Sequence, residues 1–326
     1  MRGQRIGVLV GGDGPDRAAS LATGEAVLGA LRASGHEACV LHVDRDLDLA
    51  LRQAAIDVAF IALHGPAARG ALQGLLESCG VPHTGPSLAM ASLASDKWRV
   101  KELLRLHNIP SAAAYCHARG QGSVSRQHGA FGFPCVVKPR SGSSGVGIAR
   151  ADDRAALESA IESALRFDDD ALVERFLEGV EIQVAILDGE ALGAVEVRAP
   201  GLVDYQARFA GRVELRAPRL SAERLRGVLA LACRASRVIG CEGLARVDLI
   251  LTARGVESVL EIDATPEVGP AATLPSIAEL AGLDLSDLVE RILDSARLPA
   301  ARRRDRRELD RVWLTPAPRA SAADTH

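Results

Sequence analysis

Two short apolar segments, VDLIL (247–251) and SVLEI (258–262), read as β-strands joined around the Ala-Arg-Gly turn at 253–255. Charged residues sit on and beside them: Arg246 and Asp248 on the first, Glu261 and Asp263 on the second. Side chains two apart on a strand point to the same face, so each pair shares a face. If the strands form a hairpin, three carboxylates and one arginine converge on one side. Burying an unpaired charge on such apolar strands is costly. The chain must therefore fold so that one sheet face is kept for paired or ligand-bound charge. Two readings stand. The carboxylates suit Mg²⁺, whose octahedron phosphates and waters would complete, or the face is solvated and carries ordinary charge pairs.

A second segment, VVKPRSGSSGVGIA (136–149), lies about a hundred residues upstream. An apolar run delivers Lys138, and a loop containing Ser141, Gly142, Ser143, Ser144 and Gly145 follows. Such a loop can lay backbone N–H groups against phosphate oxygens, with serine hydroxyls as further donors and the lysine as a point charge. It is not a Walker A loop, because the lysine precedes the glycines. The plainer alternative is a β-hairpin with a flexible Gly/Ser turn.

The chain of 326 residues suits two or three domains, and its 48% hydrophobic content supports a substantial core. Aromatic content of 3% and a net charge of −3 argue against a nucleic-acid platform or an anionic-membrane surface. No run of 18 apolar residues is present, so no bilayer span is expected, and MRGQRIGVLVGG lacks the pattern of a signal peptide. The six cysteines are scattered without a C-x-x-C pair and read as reduced residues of a cytoplasmic protein.

Strands at 5–10, 38–43 and 57–63 alternate with helices at 17–34, 47–54 and 70–79, which predicts an N-terminal doubly wound parallel sheet. One helix is expected over 87–107. Strands follow near 113–117, 134–138, 146–149 and 171–175, with a helix at 152–166. EIQVAILDG and ALGAVEVRA form a hairpin around Asp188-Gly189, and helices at 222–239 and 284–296 complete the pattern. The fold class is α/β, α+β in its later part. The tail 300–326 reads as loosely ordered.

The two charged clusters, in this order and spacing, resemble the ATP-grasp superfamily. Joined with RIGVLVGG, ALHG (62–65), ALQGLLE (71–77), VPHTGPS (81–87), SDKWRVK (95–101), LVERFLEGVEIQVAIL (172–187), ARVDLIL and LEIDATP, they resemble the D-alanine–D-alanine ligases as far as residue 298. The resemblance implies three domains (1–88, 89–178 and 179–299) with ATP between the second and third. It implies a ligation in which one carboxylate takes the γ-phosphate and an amine then displaces it, for peptidoglycan precursors in the cytoplasm. It further implies a homodimer acting on small amino acids, with no nucleic acid or membrane partner. ATP would be contacted by Lys97, Lys138, Ser143, Glu174, Phe176, Leu177, Glu181 and Arg208. Mg²⁺ or Mn²⁺, two ions, would be held by Asp248, Glu261 and Asp263. Asp16, Ser144 and Arg246 match catalytic positions. His64, Phe209 and Glu267 fall at the substrate end.

Departures from the pattern gather at that end. Asp16 stands where the family has glutamate, and Asp263 replaces an asparagine. HGPAARGALQG carries Ala68 and Arg69 in place of an acidic pair. Glu267 takes a glycine's place, Ala272 a serine's, Arg208 a lysine's and Phe209 a tyrosine's. In the family, phenylalanine at this last place goes with ester formation to D-lactate. The alternatives are thus a diverged ligase using a hydroxy acid or another amino acid, and a non-catalytic nucleotide-binding regulator.

Overall fold

Apolar strands seed the N-terminal layer. The structure, a computed structural model, describes residues 4–12, 16–65, 68–142, 145–199, 201–202, 211–270 and 272–298. In β1 (Arg5–Gly11), Ile6, Val8 and Val10 join one buried cluster and Leu9 another. α1 (Arg17–Ala33) packs on the first face through Val27, Ala30 and Leu31. β1 lies parallel between β2 (Glu37–Val43) and β3 (Val58–Ile61). α2 (Leu47–Ala54) and α3 (Ala71–Cys79) bury Leu47, Leu51, Leu72 and Leu76 against the second face. The sheet is parallel with helices on both faces, as expected. Gly24 lets α1 approach closely, since a Cβ there would stand 2.1 Å from Val10 Cγ1.

The single helix expected over 87–107 is two, α4 (Leu88–Ser95) and α5 (Lys97–Leu106). The break is Asp96, extended at φ −91°, ψ 91°. Its carboxylate accepts from Arg99 N at 3.1 Å, capping α5, and takes two bonds from Arg140 at 2.9 and 2.7 Å. Aspartate competes with the helical backbone in this way wherever it can cap. The break turns Lys97 to the start of α5.

The central sheet is antiparallel, in order β4-β7-β5-β6. It comprises β4 (Ala114–Ala118), β5 (Cys135–Pro139), β6 (Ala149–Ala151) and β7 (Asp170–Arg175). The short α6 (Val124–His128) precedes β5, and α7 (Arg154–Ala164) covers one face through Leu157, Ala160 and Ile161. β6 starts later than the sequence suggests, because positive φ at Gly145 and Gly147 prolongs the loop.

β8 (Gly179–Leu187) and β9 (Glu190–Arg198) form the expected hairpin. With β10 (Glu214–Arg216), β11 (Leu244–Thr252) and β12 (Glu257–Asp263) they make an antiparallel sheet ordered β10-β9-β8-β11-β12. α8 (Ala222–Ile239) covers one face together with α4 and α5. α9 (Thr273–Leu280) and α10 (Leu285–Asp294) join the cluster that also holds α1. α9 is not expected from TLPSIAEL, yet Pro275 sits in its first turn, where no backbone donor is needed. All six cysteines are free. Among the described residues no helix is long and apolar enough to cross a membrane. The tail 300–326 lies outside the described residues.

Replacing Asp96 with Ala should lower stability by about 2 kcal/mol, from the lost cap and the lost bonds of Arg140. Asp96→Asn, which can still cap, should cost less. Thermal melts of both variants check this, and an Asp96→Ala melt equal to the parent's would place the cause of the break elsewhere.

Candidate active site

β11 and β12 pair with Arg246 opposite Asp263 and Asp248 opposite Glu261, so all four side chains share one face. The register shifts after Asp248. Val259 and Ile262, three apart, both join the core, opposite Leu249 and Val247. Leu260 is the extra residue, and it lines the adjoining cavity. Such a bulge re-aims side chains beside a site. On β8, Gln183 stands opposite Asp248. Its Nε2 donates to Glu181 Oε1 at 2.9 Å and to Asp248 Oδ2 at 3.4 Å.

Internal cations hold these carboxylates. Arg246 grips Asp248 with two bonds of 2.7 and 3.0 Å, and its Nη1 lies 3.6 Å from Asp263. Lys97 Nζ is 3.2 Å from Glu261 and also donates to the Gly142 carbonyl. Burial pushes the Glu261 carboxyl up, but Lys97, Lys138 and Arg246 outweigh it and hold it at about 2. Burial opposes the charge of Arg246, yet Asp248 and Asp263 keep it above its ordinary value.

The three carboxylates and the arginine share one face, as the hairpin expectation has it. Among the described residues no three His, Cys, Asp or Glu side chains close around one point. Lys97 and Arg246 occupy the carboxylate oxygens instead. Sequence patterning places residues on a face but does not fix rotamers. The donor set still fits a hard divalent cation, being all carboxylate oxygen with Glu261 firmly ionised.

The central sheet supplies a second charged cluster. Glu174 is fully buried between two lysines, with Lys101 at 2.8 Å and Lys138 at 2.9 Å. Lys138 and Glu174 are diagonal neighbours on β5 and β7, and Lys101 reaches in from α5. Burial alone would raise the Glu174 carboxyl, but the two lysines carry it below the usual carboxylate range. Lys101 is pulled down by burial. Sequence reasoning missed Lys101, although its place four residues after Lys97 on one helix face was a usable signal. It also missed Gln183, two residues after Glu181 on the same strand face.

A cavity of about 590 Å³ joins the clusters. Lys97, Lys138, Glu174, Phe176, Leu177, Glu181, Arg246, Asp248, Glu261 and Asp263 all line it, with Val136, Ile148 and Leu260 as apolar wall. Lys97, which the resemblance assigns to ATP, is buried and reaches Glu261. Gly142 and Gly145 belong to the wall, so the Gly/Ser loop is at once the tip of the β5–β6 hairpin and part of the cavity. Ser143, Ser144, Arg208 and Phe209 lie outside the described residues.

At the substrate end His64 lines the cavity. Its Nδ1 lies 3.4 Å from the Thr265 carbonyl, to which it can only donate, and its Nε2 lies 3.2 Å from Thr23 Oγ1. Asp16 is buried at the N-cap of α1 without a side-chain capping bond. It packs behind Gly65, where a Cβ would meet Asp16 Oδ2 at 2.5 Å. Asp16 is not in the cavity wall itself, whereas Glu267 is. Ala272 occupies the N-cap of α9 and provides no capping bond. Arg69, unassigned by sequence reasoning, also lines the cavity.

A family model described as D-ala D-ala ligase C-terminus matches residues 112–294. The D-alanine–D-alanine ligase of Geobacter sulfurreducens is 42% identical over 299 residues, covering 90% of this chain and 94% of the relative. That of Anaeromyxobacter dehalogenans strain 2CP-1 is 40% identical over 303 residues, covering 91% and 98%. A D-alanine–D-alanine ligase from Bacillus anthracis, solved in complex with ATP, superposes with a TM-score of 0.80 at 28% identity, covering 90% of this chain and 97% of that one.

Glu174→Gln should destabilise the protein by about 3–5 kcal/mol, because it leaves two buried lysines without their shared anion. The Glu174 carboxyl titrates below its unfolded value, so its contribution is complete above about pH 4.3 and is lost as pH falls through the folded value. The stability gap between parent and variant should therefore narrow in acid. Denaturant titrations at pH 7 and below pH 4 check this; a gap that widened in acid would contradict the assignment.

Proposed function

The chain belongs to the D-alanine–D-alanine ligase family, and on that premise we propose that it joins two D-alanine molecules while converting ATP to ADP and phosphate, in the cytoplasm, for peptidoglycan precursors. The observation that carries this reading is the single cavity in which Lys97 and Lys138 face the Arg246, Asp248, Glu261 and Asp263 surface beside the Gly/Ser loop. We read the chain as three units, 1–88, 89–178 and 179–299, with ATP between the second and third. A homodimer is the expected assembly.

Phosphoryl transfer asks mainly for positioning and charge neutralisation. A carboxylate oxygen of the first amino acid attacks the γ-phosphorus, the bond to the β–γ bridging oxygen breaks, and ADP leaves. The amine of the second amino acid then attacks the acyl carbon, losing a proton, and phosphate departs. Lys97 and Lys138 neutralise the phosphates, as their positions in the wall permit. Phe176, Leu177, Val136 and Ile148 provide an apolar seat for the adenine, and Glu181 is the ribose partner. Arg246, rigidly held by Asp248, offsets negative charge on the acyl phosphate and the tetrahedral adduct. Asp248, Glu261 and Asp263 would hold Mg²⁺ or Mn²⁺. Those ions, when bound, neutralise the triphosphate and orient it. The exchange follows naturally from present pairings: a bound nucleotide gives Lys97 and Arg246 phosphate partners, and frees carboxylate oxygens.

A second reading is a diverged acceptor preference, favoured by Glu267 in the cavity wall and by Ala272 at the head of α9. Purified protein with ATP, Mg²⁺ and D-alanine alone should release phosphate and D-alanyl-D-alanine, identified by mass. EDTA should abolish turnover, and excess Mg²⁺ should restore it. Turnover only when D-lactate or another amino acid is added selects the second reading. No turnover with any pair would leave a non-catalytic nucleotide binder.

A further inference from the structure

Arg69 lines the cavity, and neither the sequence pattern nor the proposed chemistry gives it a role. Its backbone is firmly held. Gln73, wholly buried, accepts from Gly70 N at 3.1 Å and donates to the Ala68 carbonyl at 3.0 Å, bridging the two neighbours of Arg69. Ser92 Oγ donates to the Arg69 carbonyl at 3.0 Å. Gly70, at φ +117°, completes the turn, and a Cβ there would stand 2.3 Å from Ser92 Oγ. The turn is thus a rigid mount.

What it presents is a half-buried guanidinium that lines the cavity with His64, Lys97, Glu261 and Glu267. Asp16, Asp168 and Glu261 attract it from a distance. Among the described residues none lies within ion-pair reach of it, in contrast to Arg246, Lys97, Lys101 and Lys138. Burying a cation without a partner is unfavourable. A mount that holds one at a cavity wall therefore suits an anion that arrives from outside. Arg69 is also the one fully charged side chain that residues before Leu88 contribute to that wall among the described residues.

Resting on the ligase reading, we propose that Arg69 binds the carboxylate of the amino acid that is to be phosphorylated. The reaction brings two anions together, this carboxylate and the γ-phosphate. Lys97 and Lys138 stand ready for the phosphates, on the central sheet and α5. Arg69 comes from the turn before α3, an element that supplies neither lysine, and so can offset charge on the partner the lysines do not serve. A planar guanidinium matches a carboxylate with two parallel bonds, which also aims one oxygen.

Binding to the full-length protein, saturated with Mg²⁺ and a non-hydrolysable ATP analogue, tests this by calorimetry. Arg69→Gln should weaken D-alanine about 10- to 100-fold, the span of a hydrogen bond to a charged group. It should leave the affinity of the ATP analogue unchanged, and ethylamine, which lacks the carboxylate, should bind parent and variant alike. Arg69→Lys should recover part of the loss. Equal D-alanine affinity in parent and Arg69→Gln overturns the proposal, as does a parallel loss of the ATP analogue, which would make Arg69 a phosphate ligand. The ligase reading is judged separately by the parent's own product: D-alanyl-D-alanine formed by a parent whose Arg69→Gln variant binds D-alanine normally would sink the clamp alone.

Discussion

The buried carboxylate of Glu174, shared by Lys101 and Lys138, is the constraint around which the central part of the molecule is arranged. It joins three elements that are far apart in sequence: helix α5 and strands β5 and β7. Each cation alone would be expensive to bury, and so would the carboxylate alone. Together they force α5 against the sheet, and that contact sets where Lys97, one turn earlier, must point. The phosphate-facing lysines are therefore positioned by an ion pair network and not only by apolar packing. Lys101 completes the arrangement with bonds to Ser111 Oγ at 2.8 Å and the Ala112 carbonyl at 3.3 Å.

A second network on the C-terminal sheet mirrors the first. Arg246, Asp248, Glu261, Asp263, Gln183 and Lys97 satisfy one another across β8, β11 and β12. A cleft this rich in charge is stable without a nucleotide only because its charges are paired internally. Those pairs are also what a charged ligand must replace, so binding becomes an exchange of partners inside a preorganised wall. Arg69 departs from this economy of paired charge, in contrast to Lys97, Lys138 and Arg246.

Much of this was legible in the sequence. The alternation of charged and apolar residues at 246–248 and 261–263 already put four side chains on one face, and the antiparallel register agrees. Lys138 and its glycine-rich loop were visible as a strand delivering a cation to a flexible turn. The parallel N-terminal layer followed from its βα alternation, since an apolar strand flanked by short loops and amphipathic helices has few other ways to bury itself. The break at Asp96 was not legible, because SDKWRVKELL reads as one continuous helix until Arg140, forty-odd residues on, competes for the aspartate. The true burial of Lys97 and the existence of Lys101's partner were hidden for the same reason.

The sequence by itself determined which residues carry charge, their spacing and the faces they share, because strand and helix periodicity are local properties of the chain. Tertiary structure alone decided which charges meet. The pairing of Lys101 with Glu174, the bulge that turns Leu260 into the cavity, the withdrawal of Asp16 behind Gly65 and the isolation of Arg69 all depend on contacts between distant segments. Electrostatic partners are chosen by distance and burial in the folded molecule, and neither quantity exists until the chain has closed on itself.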